Sequence, residues 1–264
     1  MENILIRNQN LFKKEVIPRQ WYYDRLDSLL KTKQIIVVQG QRRVGKSFIV
    51  MGYLKSLNID LNSIFFFNKE LDNKNMIKTN RELADLYDVF VTKHGEPEYI
   101  FIDEIQDIVE RERFIRAKFV EGTQKIIISG SNAHLLSTEL TTYLTGRYIP
   151  LEVFPLDYQE YLFFTKQDHS GKTFADYTRR GGMPELSFVQ GESEKEDYLQ
   201  SILHTILFKD IVTRFSIKEP AYLQKILNYF ADTIGSPLSL RNIKNASTAY
   251  GRDIASLSTL STYY

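Results

Sequence analysis

Lys46, Ser47, Asp103 and Glu104 are the residues whose types and spacing suit phosphate chemistry. The first two close the stretch Gly40-Gln41-Arg42-Arg43-Val44-Gly45-Lys46-Ser47, a G-x-x-x-x-G-K-S phosphate loop. Glycine at 40 and 45 permits backbone angles and a close approach that a Cβ obstructs. The loop's N–H groups can then converge on phosphate oxygens, aided by the positive end of the helix that follows. Lys46 adds a point charge for the β- and γ-phosphates, and Ser47 a hydroxyl for Mg²⁺. Gly40, Gln41, Arg42, Arg43, Val44, Gly45, Lys46, Ser47 and Phe48 are thus the candidate nucleotide-binding residues.

Asp103 and Glu104 end the apolar run YIFIDE. In an open parallel sheet, ligands bind beyond the carboxyl ends of the strands, which is where this pair falls. Asp103 suits a magnesium-holding carboxylate, with Ser47 as the second metal residue. Glu104, one residue on, lies beside the metal and suits a base that orients or deprotonates an attacking water. Ser131 and Asn132 follow a further apolar strand, KIIIS, and either sense the γ-phosphate or simply cap the next helix. Arg147 is a candidate catalytic charge, an arginine finger acting in its own subunit or a neighbour's, with a structural ion pair as the other reading.

Elements that position these residues follow from periodicity. Residues 1–17 read as a loosely packed arm. A helix opened by Pro18-Arg19 carries Trp21, Tyr22, Leu26, Leu29 and Leu30 at helical spacing, with Trp21 and Tyr22 read as core residues in preference to a base-binding role. Strands are expected at 35–38, 64–67, 99–103, 125–129 and 148–153, and a helix over 133–144. From Asn80, an N-cap candidate, Leu83, Leu86, Tyr87 and Phe90 form an i, i+3, i+4, i+7 stripe. After Pro155 the strand–helix alternation stops, and helices dominate to residue 218. There, Gly181-Gly182-Met183-Pro184 reads as an ordinary helix connection or a hinge. Three short helices after Pro220 suggest a helix-turn-helix or winged-helix element. The expected division is 1–17 arm, 18–154 phosphate-loop domain, 155–218 helical lid, and 219–264 winged-helix-like element.

Bulk properties narrow the class. The chain has 34 Lys and Arg against 33 Asp and Glu, so no net field drives it onto nucleic acid or membrane. With no cysteine, disulfides and thiolate metal sites are excluded. The scattered histidines lack metal-ligand spacing, and no apolar run is long enough to span a bilayer. No secretory leader is evident at the start, so the cytoplasm is the expected compartment. An N-K-x-D guanine-reading motif should lie after the magnesium Asp in a GTPase. The near match Asn68-Lys69-Glu70-Leu71 lacks the Asp and comes before it. Glu104 and a strand intervening between the two phosphate-handling strands point instead to ATP.

GQRRVGKS, YIFIDEIQ, ISGSNAHLLS, LTGRYIPLEVFPLDYQEYL and RRGGMPE, in that order, resemble the AAA-type, STAND-related P-loop ATPases of prokaryotes that carry an uncharacterised C-terminal domain. The resemblance covers roughly residues 18 to 264. It implies an α/β fold with a parallel sheet ordered 5-1-4-3-2, a helical lid and a winged-helix element. It also implies that Lys46, Ser47, Asp103 and Glu104 handle nucleotide, and that Gly146-Arg147 is a family feature. A further domain normally follows in such proteins, so the sequence reads as a truncated form. The expected function is slow, Mg²⁺-dependent ATP hydrolysis that drives a conformational switch. The alternative is a nucleotide-gated module with little turnover that binds DNA or a protein partner through 219–264, or self-associates. Lys225, Arg241, Lys244 and Arg252 would supply positive charge for DNA.

Overall fold

Apolar runs without polar alternation are buried on both faces, which is the signature of parallel strands covered by helices on either side. The strands are Ile35–Gly40 (β1), Ile64–Asn68 (β2), Tyr99–Asp103 (β3), Lys125–Ser131 (β4) and Tyr148–Val153 (β5). They pair in the order β2-β3-β4-β1-β5, and every pairing is parallel. This is the expected 5-1-4-3-2 order read from the other edge. β4 separates β1 from β3, so the phosphate-loop strand and the Asp103 strand have one strand between them. The computed structural model describes residues 1–131, 144, 146–212, 220–237 and 239.

Helices Glu2–Leu11 (α1), Gln20–Leu30 (α2), Lys46–Ser56 (α3), Asn80–His94 (α4) and Arg111–Glu121 (α5) connect and cover the strands. α4 starts at a capping box, in which the Glu82 carboxylate accepts the Thr79 N–H at 2.7 Å. Its stripe of Leu83, Leu86, Tyr87 and Phe90 is buried with Phe65, Phe67, Ile100 and Ile102 in one core. The structure differs from the loose arm expected of residues 1–17. Ile4 and Leu5 join that same core, and the Asn8 side chain is fully buried. The exposed Ile6 and the polar run from Arg7 to Asn10 hid a short helix with one buried face. Trp21, read as core, is 63% exposed, whereas Tyr22 and Tyr23 are buried. The buried face of α2 keeps Tyr22, Leu26, Leu29 and Leu30 from the expected stripe, with Tyr23 in place of Trp21.

The chain divides into two compact units, Met1–Gly191 and Glu192–Tyr264. That division falls inside the segment 155–218 expected as a lid. Helices Tyr158–Thr165 (α6) and Gly171–Arg180 (α7), and the turn Pro184–Ser187, belong to the first unit. The second unit contains Glu192–Thr205 (α8), which continues as a wider π-helical stretch over Ile206–Val212, and Pro220–Asp232 (α9). Of the winged-helix element expected over 219–264, only α9 and the short segment after it fall within the described residues. Arg241, Lys244 and Arg252 lie outside them, as does the helix expected over 133–144 apart from Leu144. No described helix is long and apolar enough to cross a membrane.

Candidate functional site

β1 runs straight into the glycine loop, and α3 begins at Lys46. Gly40 has φ +154°, and a Cβ there would collide with the Val153 carbonyl of β5 and press on the Val44 side chain. Only glycine lets the loop leave the sheet this closely. Gly45 and Arg43 also take positive φ, at 90° and 64°. Val44 is fully buried and anchors the loop, while Gln41 and Arg43 face solvent. Arg42 and Arg43 both make interactions within the structure. Lys46 is buried, and its Nζ donates to the carbonyls of Gly40 at 3.0 Å and Gln41 at 2.9 Å. The ammonium is therefore held within the turn of the loop. Phe48, in the first turn of α3, is 42% exposed.

Because all strands are parallel, their carboxyl ends share one edge of the sheet. Register places Asn68 beside Asp103, and Gly40 beside Ser131. The Asp103 carboxylate is fully buried there. It accepts hydrogen bonds from Asn68 Nδ2 at 2.7 Å, from Ser129 Oγ, and from the Ser47 hydroxyl. Ser47 and Asp103, distant in sequence, thus meet directly. Burial pushes the Asp103 carboxyl up to about 6, against the lowering effect of the Ser129 and Ser47 hydrogen bonds. Glu104 raises it further, and Lys46 draws it back. A buried carboxylate with a serine hydroxyl beside it is an oxygen donor set suited to a hard divalent cation. Such a cation would relieve the cost that burial places on the charge. Among the described residues no group of three or more His, Asp or Glu could hold a metal.

A supporting row, absent from the sequence reading, holds the carboxylate in place. Asn68 takes its backbone position from Asn8 of α1, whose Oδ1 accepts the Asn68 N–H at 2.7 Å. Its own Oδ1 accepts the Glu70 N–H, which leaves Nδ2 aimed at Asp103. Lys69, in the same near match to a guanine motif, is instead tied to Asp72 at 2.9 Å and Asn75 at 2.8 Å. The signal for Asn68 and Ser129 was present: a polar residue at or near the carboxyl end of an otherwise apolar parallel strand.

Glu104 directly follows β3 in the left-handed region, φ 55° and ψ 45°, which is unusual for a residue other than glycine and common at functional sites. Its Oε2 accepts a short hydrogen bond from Gln106 Nε2. The turn directs the chain away from the strand immediately after Asp103. Ser131 closes β4 beside Gly40 of β1; Asn132 lies outside the described residues.

Arg147 is placed elsewhere. Its carbonyl accepts the N–H of Ile35, and β5 starts at the next residue, paired with Ile35. The Arg147 backbone therefore sits at the amino edge of the sheet, the full length of β1 away from Gly40. At ~3.3 Å per residue this is on the order of 15 Å. The arginine-finger role in its own subunit is thereby corrected. A residue that precedes a parallel strand lies at the opposite edge from one that follows it, and that signal was in the sequence.

Burial of an ionisable group with this shift predicts a stability effect in metal-free buffer. Asp103 has a raised folded-state pKa, so the destabilising cost is absent below the unfolded value and full above about pH 6. Asp103→Asn keeps an acceptor for Asn68 and a donor for the serine hydroxyls. We expect it to stabilise the unliganded protein at pH 7.5 by on the order of 1–3 kcal/mol, with the gain shrinking towards pH 4. Urea unfolding of both forms in EDTA checks this, and equal stability at pH 7.5 would remove the burial cost.

A glycine loop, a buried lysine and a serine–aspartate pair on the carboxyl edge of a parallel sheet define a P-loop nucleotide-binding domain. Residues 32–162 match the family model described as "AAA domain", and residues 171–263 match one described as a domain of unknown function. Residues 32–162 are thus similar to an AAA domain, and the region after them to a domain of unknown function. An uncharacterized protein of Haemophilus influenzae is 31% identical over 243 residues, covering 89% of this chain and 60% of the relative. One of Methanocaldococcus jannaschii is 27% identical over 267 residues, covering 96% and 58%. This chain thus spans less than two thirds of the length of these relatives. Among solved structures, AMPPCP-bound DnaA from Aquifex aeolicus aligns with a TM-score of 0.46 and 13% identity, covering 86% of this chain and 81% of that one. Aeropyrum pernix ORC1 in complex with DNA aligns with a TM-score of 0.42 and 12% identity, covering 94% and 82%.

Proposed function

We propose that the chain binds ATP with Mg²⁺ and hydrolyses it slowly, and that the nucleotide drives a conformational switch. The observation that carries this reading is the meeting of Ser47 with the buried Asp103 carboxylate beside the Lys46 loop. These residues suit a phosphate chain and its cation, and the match of residues 32–162 to an AAA domain supports the same reading.

In this reading the N–H groups of residues 41–47 and the Lys46 ammonium take the β- and γ-phosphates. Lys46 exchanges its two loop carbonyls for phosphate oxygens, so the ammonium stays inside the loop and changes partners. Ser47 and Asp103 would hold Mg²⁺, which neutralises phosphate charge when bound. Asn68 and Ser129 fix the orientation of Asp103. Glu104, released from Gln106, accepts a proton from the attacking water. Ser131 and its sequence neighbour Asn132 would register the γ-phosphate. A neighbour's Arg147 is a separate proposal, which the position of this chain's own arginine leaves intact.

Phosphate release from ATP, measured with Mg²⁺ and with EDTA, tests the proposal. Mg²⁺-dependent release supports it. Nucleotide binding without release in any condition would favour the gated binding module, and absence of binding would reject both.

A further inference from the structure

Arg19 does something that neither the phosphate-loop motif nor the family match assigns. It is the N-cap of α2, and its side chain is only 4% exposed. A buried guanidinium is costly unless its donors are matched, and here they are. Nε and Nη2 donate to the two carboxylate oxygens of Glu160, at 2.8 and 2.6 Å. Nη1 donates to the carbonyls of Phe154 at 3.0 Å and Val44 at 3.3 Å, and Nη2 reaches the Pro155 carbonyl at 3.4 Å. The guanidinium also lies over the Tyr22 ring, 4.5 Å from its centroid, and the Tyr22 hydroxyl accepts the Phe154 N–H. One side chain therefore joins the phosphate loop, the β5–α6 connector and the first turn of α6.

Val44 is the contact that gives this joint a functional meaning. In a trans peptide the carbonyl and the following N–H point in opposite directions. An Arg19 donor on the Val44 carbonyl therefore turns the Gly45 N–H away from the guanidinium. Gly45 N–H is one of the loop donors available to phosphate. If this peptide rotated, a carbonyl oxygen would face the phosphates in its place.

The connector is braced from its far side as well. The Leu156 N–H donates to the Gly182 carbonyl at 2.6 Å, and the Tyr177 hydroxyl donates to the Leu156 carbonyl at 3.0 Å. A Cβ on Gly182 would collide with the Leu156 backbone. Pro184 then reaches back to the loop, its Cγ 3.9 Å from where a Cβ on Gly45 would lie. The Gly181-Gly182-Met183-Pro184 segment is thus docked against the connector and the loop.

We propose that Arg19 is the positioning residue of the phosphate loop, setting the Val44–Gly45 peptide for phosphate and coupling the loop to α6 through Glu160. This role rests on the nucleotide-binding reading above. Lysine cannot replace arginine here, because a single ammonium lacks the planar fork that serves Glu160 and the backbone carbonyls together.

The test compares nucleotide affinity with unliganded stability in the full chain. Wild type, Lys46→Ala, Arg19→Lys, Arg19→Ala, Glu160→Gln and the Arg19→Ala/Glu160→Gln double variant are titrated with a fluorescent ATP analogue and Mg²⁺, below the melting onset of each. Arg19→Lys and Arg19→Ala are expected to bind about tenfold more weakly or worse, Glu160→Gln less so. The double variant should be no weaker than Arg19→Ala, because both changes break one joint. Should Arg19→Ala fail to fold, Arg19→Lys and Glu160→Gln carry the comparison. Variants that melt earlier yet bind within twofold of wild type would leave Arg19 a structural ion pair and overturn the proposal. If wild type itself fails to bind, the nucleotide reading falls and this role falls with it. If wild type binds and Lys46→Ala does not, while the Arg19 and Glu160 variants match wild type, only the role of Arg19 fails.

Discussion

Glu104→Gln is expected to leave ATP affinity within a few-fold of wild type while lowering phosphate release by roughly 10²- to 10⁴-fold, the range for removing a general base. The amide keeps the shape of the side chain and its contact with Gln106, but it cannot take a proton from water. Its neighbour Asp103 keeps its three hydrogen-bond donors, so the metal position is undisturbed. The backbone should tolerate the change as well, since glutamine meets the same φ of 55°. The measurement is single-turnover phosphate release beside a binding titration. Equal release rates in both proteins would remove Glu104 from the mechanism and pass the base role to a group elsewhere.

Lys46→Ala should act on the other parameter. Loss of the ammonium removes a charge-assisted contact to phosphate, and the affinity for ATP is expected to fall by about 100-fold or more. The unliganded fold should lose little. Of the two carbonyls that Lys46 satisfies, Gln41 belongs to a solvent-exposed residue, and alanine is a good helix former at the start of α3. The expected loss is about 1 kcal/mol, the net worth of a typical intramolecular hydrogen bond. Isothermal titration and urea unfolding together make the distinction. A variant that unfolds without nucleotide would mean that Lys46 stabilises the loop itself, and the fall in affinity would then say nothing about phosphate.

Much of the site was legible in the residues. The G-x-x-x-x-G-K-S loop, the Asp-Glu pair after an apolar run and the strand between them depend on local patterns. Glycine at 40, a lysine at 46 and two carboxylates at a strand end have few other uses in this arrangement. Errors arose where sequence distance and spatial distance part company. Arg147 precedes a strand whereas the phosphate loop follows one, and in a parallel sheet those two positions lie at opposite edges. Trp21 faces outward and Tyr23 inward, because a helical stripe is wide enough to be flanked on either side. The packing of α2 against α3 and β1 decides which side chain turns inward.

What the sequence determined alone was the class of chemistry and the type of sheet. Unbroken β-branched and aromatic runs require cover on both faces, and the loop motif requires a strand before it and a helix after it. What only the tertiary structure decided was which residues share the carboxyl edge. Asn8, Asn68 and Ser129 come from three separate segments, and parallel register brings two of them onto the Asp103 carboxylate. Arg19 and Glu160 lie far apart along the chain, and the capping box that marks Glu160 at the start of α6 says nothing of Arg19. Their pairing exists because β5 returns beside β1 and delivers α6 to the loop. A buried guanidinium can be recognised only once the acceptors that make its burial tolerable are assembled around it.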